Sequence, residues 1–154
     1  MAQASTRNQP ILTPEQLRSR LGEFYRALDE FNDGYYFQSH ETLEDLWLVA
    51  PWPERQLFQG VIQLAAAFVH FFRGEYPGTM KLLDAAVEKL RAFQPERLGV
   101  DLAALLTGVE RCRTDLAALG PERLQEWDPS RIPVVRFNRS GETAPSTDAA
   151  GREM

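Results

Sequence analysis

The sequence predicts an all-α fold, a single compact bundle of about five helices followed by an extended C-terminal arm. Three observations carry that expectation. Apolar residues recur at steps of three and four along successive stretches, the period of helices with one buried face. Residues that start and stop helices bracket those stretches: Thr13-Pro14, Asn32-Asp33-Gly34, Pro51-Trp52-Pro53, Gly74 and Gly120-Pro121. No segment reads as a sheet.

The first helix opens at Thr13-Pro14-Glu15-Gln16, where Thr13 caps, Pro14 suits the first helical position and Gln16 completes a capping box. Leu17, Leu21, Phe24, Leu28 and Phe31 then form one apolar stripe. Gly34 ends the helix, because glycine accepts a left-handed backbone without steric cost. A second helix is expected from about Tyr35 to Ala50, stopped by the prolines at 51 and 53. The third runs from Pro53 to Arg73 and is apolar on nearly every side, the mark of a helix inside a bundle. The fourth spans roughly Tyr76 to Phe93, with Met80, Leu83, Val87 and Leu90 inward. The fifth opens near Asp101 and holds the helical period through Leu102, Leu105, Leu106, Val109, Cys112 and Leu116. One more helical turn is expected from Pro121 to Trp127, and Ile132 to Phe137 reads as extended. The third and fourth helices resemble a hairpin of tetratricopeptide type, but no second copy recurs at about 34 residues, which argues against a solenoid.

These elements divide the chain into a flexible N-terminus (1–12), a helical bundle (13–128), and an extended arm with a disordered tail (129–154). At 154 residues the chain can bury a real core. Its net charge of -5 and lack of basic runs argue against nucleic acid. The run Val61 to Phe72 is too short and, with Gln63 and His70, too polar to span a bilayer. The first residues lack the apolar core of a signal peptide, so a cytoplasmic location is expected. A single cysteine, Cys112, excludes an intrachain disulfide and a cysteine-based zinc cluster, and its apolar face points to a buried thiol.

The chemistry is expected on the two helices either side of Pro51-Trp52-Pro53. His40, Glu44 and Trp47 stand at i, i+4 and i+7, on one helical face that Tyr36 and Leu43 mark as inward. A histidine and a carboxylate one turn apart can chelate a divalent metal. They can equally act as an acid/base pair, the carboxylate holding the imidazole tautomer. Two ligands do not complete a site, since zinc takes three or four. Across an antiparallel hairpin Gln59 faces Glu44, and Gln63 faces His40. The competing reading is therefore a buried hydrogen-bonded network of His40, Glu44, Gln59 and Gln63 that locks helix register. Glu41 and Asp45 read as a solvated face or as outer ligands. His70 lies roughly 10 Å further along the axis at 1.5 Å per residue, and reads as a hydrogen-bonded core histidine that supports the site from a distance.

The same residues carry a resemblance. Phe31-Asn32-Asp33-Gly34-Tyr35-Tyr36-Phe37, then His40-Glu41-Thr42-Leu43-Glu44-Asp45-Leu46-Trp47, and then Phe58 to Ala67 resemble the bacterial and archaeal family called domain of unknown function 309. Its hallmark is His, three residues, Glu, two residues, then Trp or Tyr. The resemblance extends over roughly residues 24 to 93 and implies a compact all-α bundle with a functional role for His40, Glu44 and Trp47, metal binding among the options. It implies no activity, because the family has none established. Gln38 stands where the family often has an acidic residue, so that ligand is missing here.

Two functions are expected from these residues. In one, His40 is ligand or base, Glu44 is ligand or orienting carboxylate, and Trp47, Gln59, Gln63, Glu41 and His70 support them. A divalent metal would be the cofactor and the chemistry hydrolase-like, with a metal-bound water as nucleophile. In the other, the bundle is a non-enzymatic interaction module whose arm, Ile132 to Phe137, either lies along the bundle or joins a second chain as a homodimer or protein partner.

Overall fold

The structure, a computed structural model, describes residues 10–141. It is an all-α bundle, as the periodicity requires. The expectations for residues 1–9 and for the tail from 142 onward lie outside the described residues.

Helix α1 is Pro14–Arg18 and α2 is Leu21–Asn32. The capping box forms as expected: Gln16 N–H donates to Thr13 Oγ1 at 3.1 Å, and Thr13 N–H donates to Gln16 Oε1 at 2.9 Å. The single helix expected here is broken at Ser19–Arg20. The Ser19 hydroxyl donates to the Gln16 carbonyl at 2.7 Å, and the Arg20 guanidinium turns forward onto Glu23. Such a side-chain bond competes with the helical ladder. The apolar stripe is unaffected, and Leu17, Leu21, Phe24, Leu28 and Phe31 are all buried.

Helix α3 is Tyr36–Trp47, α4 is Glu54–Phe72 and α5 is Tyr76–Leu90. Helix α3 stops three residues short of the expected Ala50. Val49 and Ala50 bond back to Leu46 and Trp47 in a tighter turn ahead of Pro51. The central position expected for α4 is observed: no residue from Glu54 to Phe71 is exposed. Gly60 lets α5 pack close, since a Cβ there would lie 2.8 Å from Leu90 Cγ.

The connections α2–α3 and α4–α5 are built alike. Gly34 and Gly74 adopt φ of 88° and 76°. Tyr35 N–H reaches Glu30 O at 2.8 Å, and Glu75 N–H reaches His70 O at 3.0 Å, while each glycine N–H bonds three residues back. Both are Schellman turns. The likeness continues in Phe31 and Phe71, Ser39 and Thr79, and Leu43 and Leu83, all buried. Two helical hairpins thus repeat at forty positions. A search near the shorter tetratricopeptide period misses this spacing.

Helix α6 is Leu102–Leu119, capped by Asp101, whose carboxylate accepts from Ala104 N–H at 2.9 Å. Between α5 and α6 lie a 3-10 turn, Arg91–Phe93, and a two-stranded hairpin, Glu96–Arg97 (β1) with Val100–Asp101 (β2). No strand was expected, because two residues are too few to show a period of two. Leu98 and Gly99 both take positive φ, 55° and 84°, which suits a tight hairpin turn.

After a 3-10 stretch at Pro121–Glu126, the arm lies along its own bundle. Ile132 and Val135 are buried, and Val134 is 61% exposed. Val135 is clamped by Asn32: its N–H donates to Asn32 Oδ1 at 2.7 Å, and its carbonyl accepts from Asn32 Nδ2 at 2.9 Å. Phe137 stacks on Tyr25 at 5.6 Å. No helix among the described residues is long and apolar enough to cross a membrane.

Asn32→Ala removes both halves of the clamp and leaves two backbone groups of Val135 unpaired. We expect a loss of about 1–3 kcal/mol, read as a lower thermal midpoint, with faster amide exchange confined first to the arm. Exchange in the arm that matches wild type would show that the clamp does not hold it.

Candidate functional site

Helix α3 presents two adjacent stripes. Ser39, Leu43 and Leu46 are buried, and the Ser39 hydroxyl donates to the Ala27 carbonyl at 2.8 Å. His40, Glu44 and Trp47 occupy the next stripe, one residue or about 100° around the helix, and are half-buried. The pair therefore sits on the flank of α3 at the bundle edge and does not point into the middle of the core. Core packing takes the 39-43-46 stripe because it carries the two leucines.

The side chain of His40 is 27% exposed and that of Glu41 is 57% exposed. His40 Nδ1 lies 3.7 Å from Glu41 Oε2, beyond hydrogen-bond range. That nitrogen is shielded from water and has no hydrogen-bond partner. His40, Glu41 and Glu44 each offer a ligand atom, and these lie within 4.8 Å of one another. Ligand atoms held around one divalent ion at about 2.0–2.2 Å stand roughly 3–4 Å apart. The donor set, one imidazole and two carboxylates, suits zinc or manganese.

The expected polar network is absent. Gln63 Oε1 is buried with no partner, as is His40 Nδ1, and no hydrogen bond among the described residues joins Gln59 or Gln63 to His40 or Glu44. The register explains this. His40 shares a cleft with Ala66, Val69 and His70, about one turn beyond Gln63 along α4. The axial separation expected to keep His70 away from the site is corrected by the same observation: the two histidines of the chain line one cleft, together with Phe37 and Arg73. Nor is His70 a core residue. Its side chain is 35% exposed, and its Nδ1 meets Glu75 Oε1 at 2.5 Å. Glu75, Arg73 and Phe37 were not singled out from sequence. Glu75 was findable, because the 6→1 bond of a Schellman turn at Gly74 brings residues five apart together.

Trp47 Nε1 is also buried without an acceptor, and the Arg55 guanidinium lies 4.8 Å from the center of its ring. A wider cleft lies elsewhere, around Asp115, Arg123, Glu126 and Arg131. Its charges are matched within the chain: Arg123 with Glu126, Arg131 with Asp115, and Trp127 Nε1–H with Asp115. Cys112 is buried, and burial, with Asp115 nearby, pushes its thiol up to about 12.

The fold and this cluster define a small all-α protein with an imidazole and two carboxylates on the flank of one helix. Residues 24–82 match the family model described as Domain of unknown function (DUF309). The match takes in most of α2, all of α3 and α4 and the first half of α5, and so every residue of the cluster and the cleft. No curated protein matches the chain significantly.

Two outcomes check this geometry. Cys112 is expected to be unreactive toward a thiol reagent at pH 8 until the chain unfolds, since a pKa near 12 leaves almost no thiolate; rapid labelling of the folded protein would contradict the burial. Gly78→Ala would place a Cβ 2.8 Å from His70 Nδ1. It should displace the ring, visible as shifted imidazole correlations by NMR. Stability should change little, because the helix-propensity gain of about 1 kcal/mol offsets a partly exposed ion pair worth less.

Proposed function

We propose that the flank of α3 is a metal-binding site in which His40, Glu41 and Glu44 hold one divalent cation beside the cleft that His70 also lines. The observation that carries this reading is the orphaned His40 Nδ1, shielded from water and 3.7 Å from a carboxylate oxygen. A buried polar atom without a partner costs about 1–3 kcal/mol. It calls for a ligand or an ordered water that completes it. Glu41 enters as a direct ligand in place of the anionic group that Gln38 does not provide. When bound, such an ion supplies Lewis acidity and a water of lowered pKa, the requirements of a hydrolase-like reaction. The chain's own part is to fix the imidazole on a rigid helix. It also keeps one side of the site open to the cleft and supplies His70, whose Nδ1 is held by Glu75, as a second imidazole facing the same space.

Equilibrium dialysis against zinc, manganese and nickel, followed by metal analysis, tests the proposal. One ion per chain is expected for wild type, with much weaker retention in His40→Ala and Glu44→Gln. At a metal concentration a hundredfold above Kd the thermal midpoint should rise by roughly 5–10 °C. No retained metal and unchanged melting with all three ions would reject it. In the absence of metal, His40→Ala should melt close to wild type, because the ring nitrogen has no hydrogen bond to lose. A drop of many degrees would instead favour a purely structural role for the pair.

A further inference from the structure

We propose that the cleft between α3 and α4 carries an anion seat formed by Arg73 and His70, for a small phosphate or carboxylate that bears an apolar body. The inference names the ligand class of the site proposed above and rests on that reading for what happens at the ligand's reactive end. The anion's seat itself does not require the metal.

Charge comes first. The chain has a net charge of -5, yet the residues that line this cleft include Arg73, His40 and His70 and no acid; Glu41 and Glu75 stand against the two imidazoles, at 3.7 and 2.5 Å, and leave the Arg73 charge uncompensated. Two clefts elsewhere on the described residues mix acids with bases: Asp84 and Glu110 lie beside Arg113 in one, and Asp115 and Glu126 beside Arg123 in the other. Those arginines are paired to the acids. Arg73 has no ion-pair or hydrogen-bond partner for its guanidinium among the described residues. A planar, unpaired guanidinium matches carboxylate and phosphate oxygens in a two-point contact.

His70 is placed for the same task. Glu75 holds Nδ1 at 2.5 Å, and in the imidazolium form the Nε2–H remains to donate to an anion. The ring lies against Gly78, where the lack of a side chain opens the space it fills. The C-terminal end of α4 contributes negative dipole here, and the first turn of α5 beside His70 opposes it.

The apolar body is indicated by size and by surface. The cleft has a volume of about 160 Å³, below the roughly 300–1,000 Å³ of pockets that enclose a whole small molecule. It therefore seats a head group only. A second groove continues from it, sharing Phe37, Val69 and Arg73 and adding Tyr35 and Phe72. Phe37, Tyr35 and Phe72 are 53%, 58% and 56% exposed. Large aromatics that remain this exposed together, next to a cation, offer a surface for a flat or aliphatic group.

Phenylphosphate titrated into the full-length protein in EDTA, followed by NMR and calorimetry, tests the seat without metal. We expect saturable binding that weakens at least tenfold in Arg73→Gln and severalfold in Phe37→Ala and His70→Gln. The Arg73→Gln protein should melt like wild type and retain metal as wild type does. Phenol, which lacks the charge, should bind far more weakly. An absence of saturable binding, wild-type affinity in a folded Arg73→Gln protein, or equal affinity for phenol would overturn the proposal. Phenylphosphate binding through Arg73 in a protein that retains no metal would support the seat and reject the metal reading. Metal retention without phenylphosphate binding would do the reverse.

Discussion

Helix α4 has no fully exposed residue before its last, Phe72, and the rest of the structure follows from that constraint. A helix apolar on nearly every side is stable in water only if other elements cover it. Helices α3 and α5 flank it as sequence neighbours, and Phe24 and Phe31 of α2 reach its Phe58 and Phe68 at ring separations of 5.0 and 6.1 Å. Where the cover must come closest the helix carries Gly60, against Leu90 of α5. Polar groups on such a helix can face outward only at seams between the covering helices. Gln63 and His70 meet that condition differently: one oxygen of Gln63 stays buried and unpaired, whereas His70 emerges near the helix end and pairs with Glu75.

The seam between α3 and α4 is where chemistry is available. A second use of one local design helps to create it. The Schellman turns at Gly34 and Gly74 launch α3 and α5 in the same manner, each with a buried hydroxyl, Ser39 or Thr79, five residues after the glycine. In the first hairpin the residue after that hydroxyl is His40, and in the second it is Met80. The two repeats share a scaffold, and only the first carries an imidazole and two carboxylates on its flank. Such a cluster stands on a rigid helix, which holds donor atoms more precisely than a loop does.

Much of the fold was legible because it depends on local signals. The capping box at Thr13, the left-handed glycines at 34 and 74, the Asp101 start and the Gly120 stop all act within one turn of chain, so residue identity alone reports them. The features that were not legible have non-local or very short causes. The break at Ser19–Arg20 leaves the apolar stripe in phase and so leaves no mark in the pattern. The β1–β2 hairpin is too brief to show a period, and its pairing with the arm through Val100 and Phe137 joins residues far apart in sequence. The extended reading of Ile132 to Phe137 could not say what the arm packs on. Asn32 and Tyr25 decide that from another helix.

The candidate site divides along the same line. The sequence by itself determined that His40, Glu44 and Trp47 share one stripe of one helix, since a period of 3.6 residues leaves them no alternative. It also placed Glu41 beside them as a carboxylate with two readings. Only the tertiary structure decided that this stripe lies on the flank of the bundle and not in its center. It alone decided that Gln63 misses His40, and that His70, Arg73 and Phe37 close around the same space. The reason is physical. Helical phase is set by bonds within the chain, whereas the axial register of two packed helices is set by how their side chains interdigitate, and a shift of one turn there exchanges one neighbour for another.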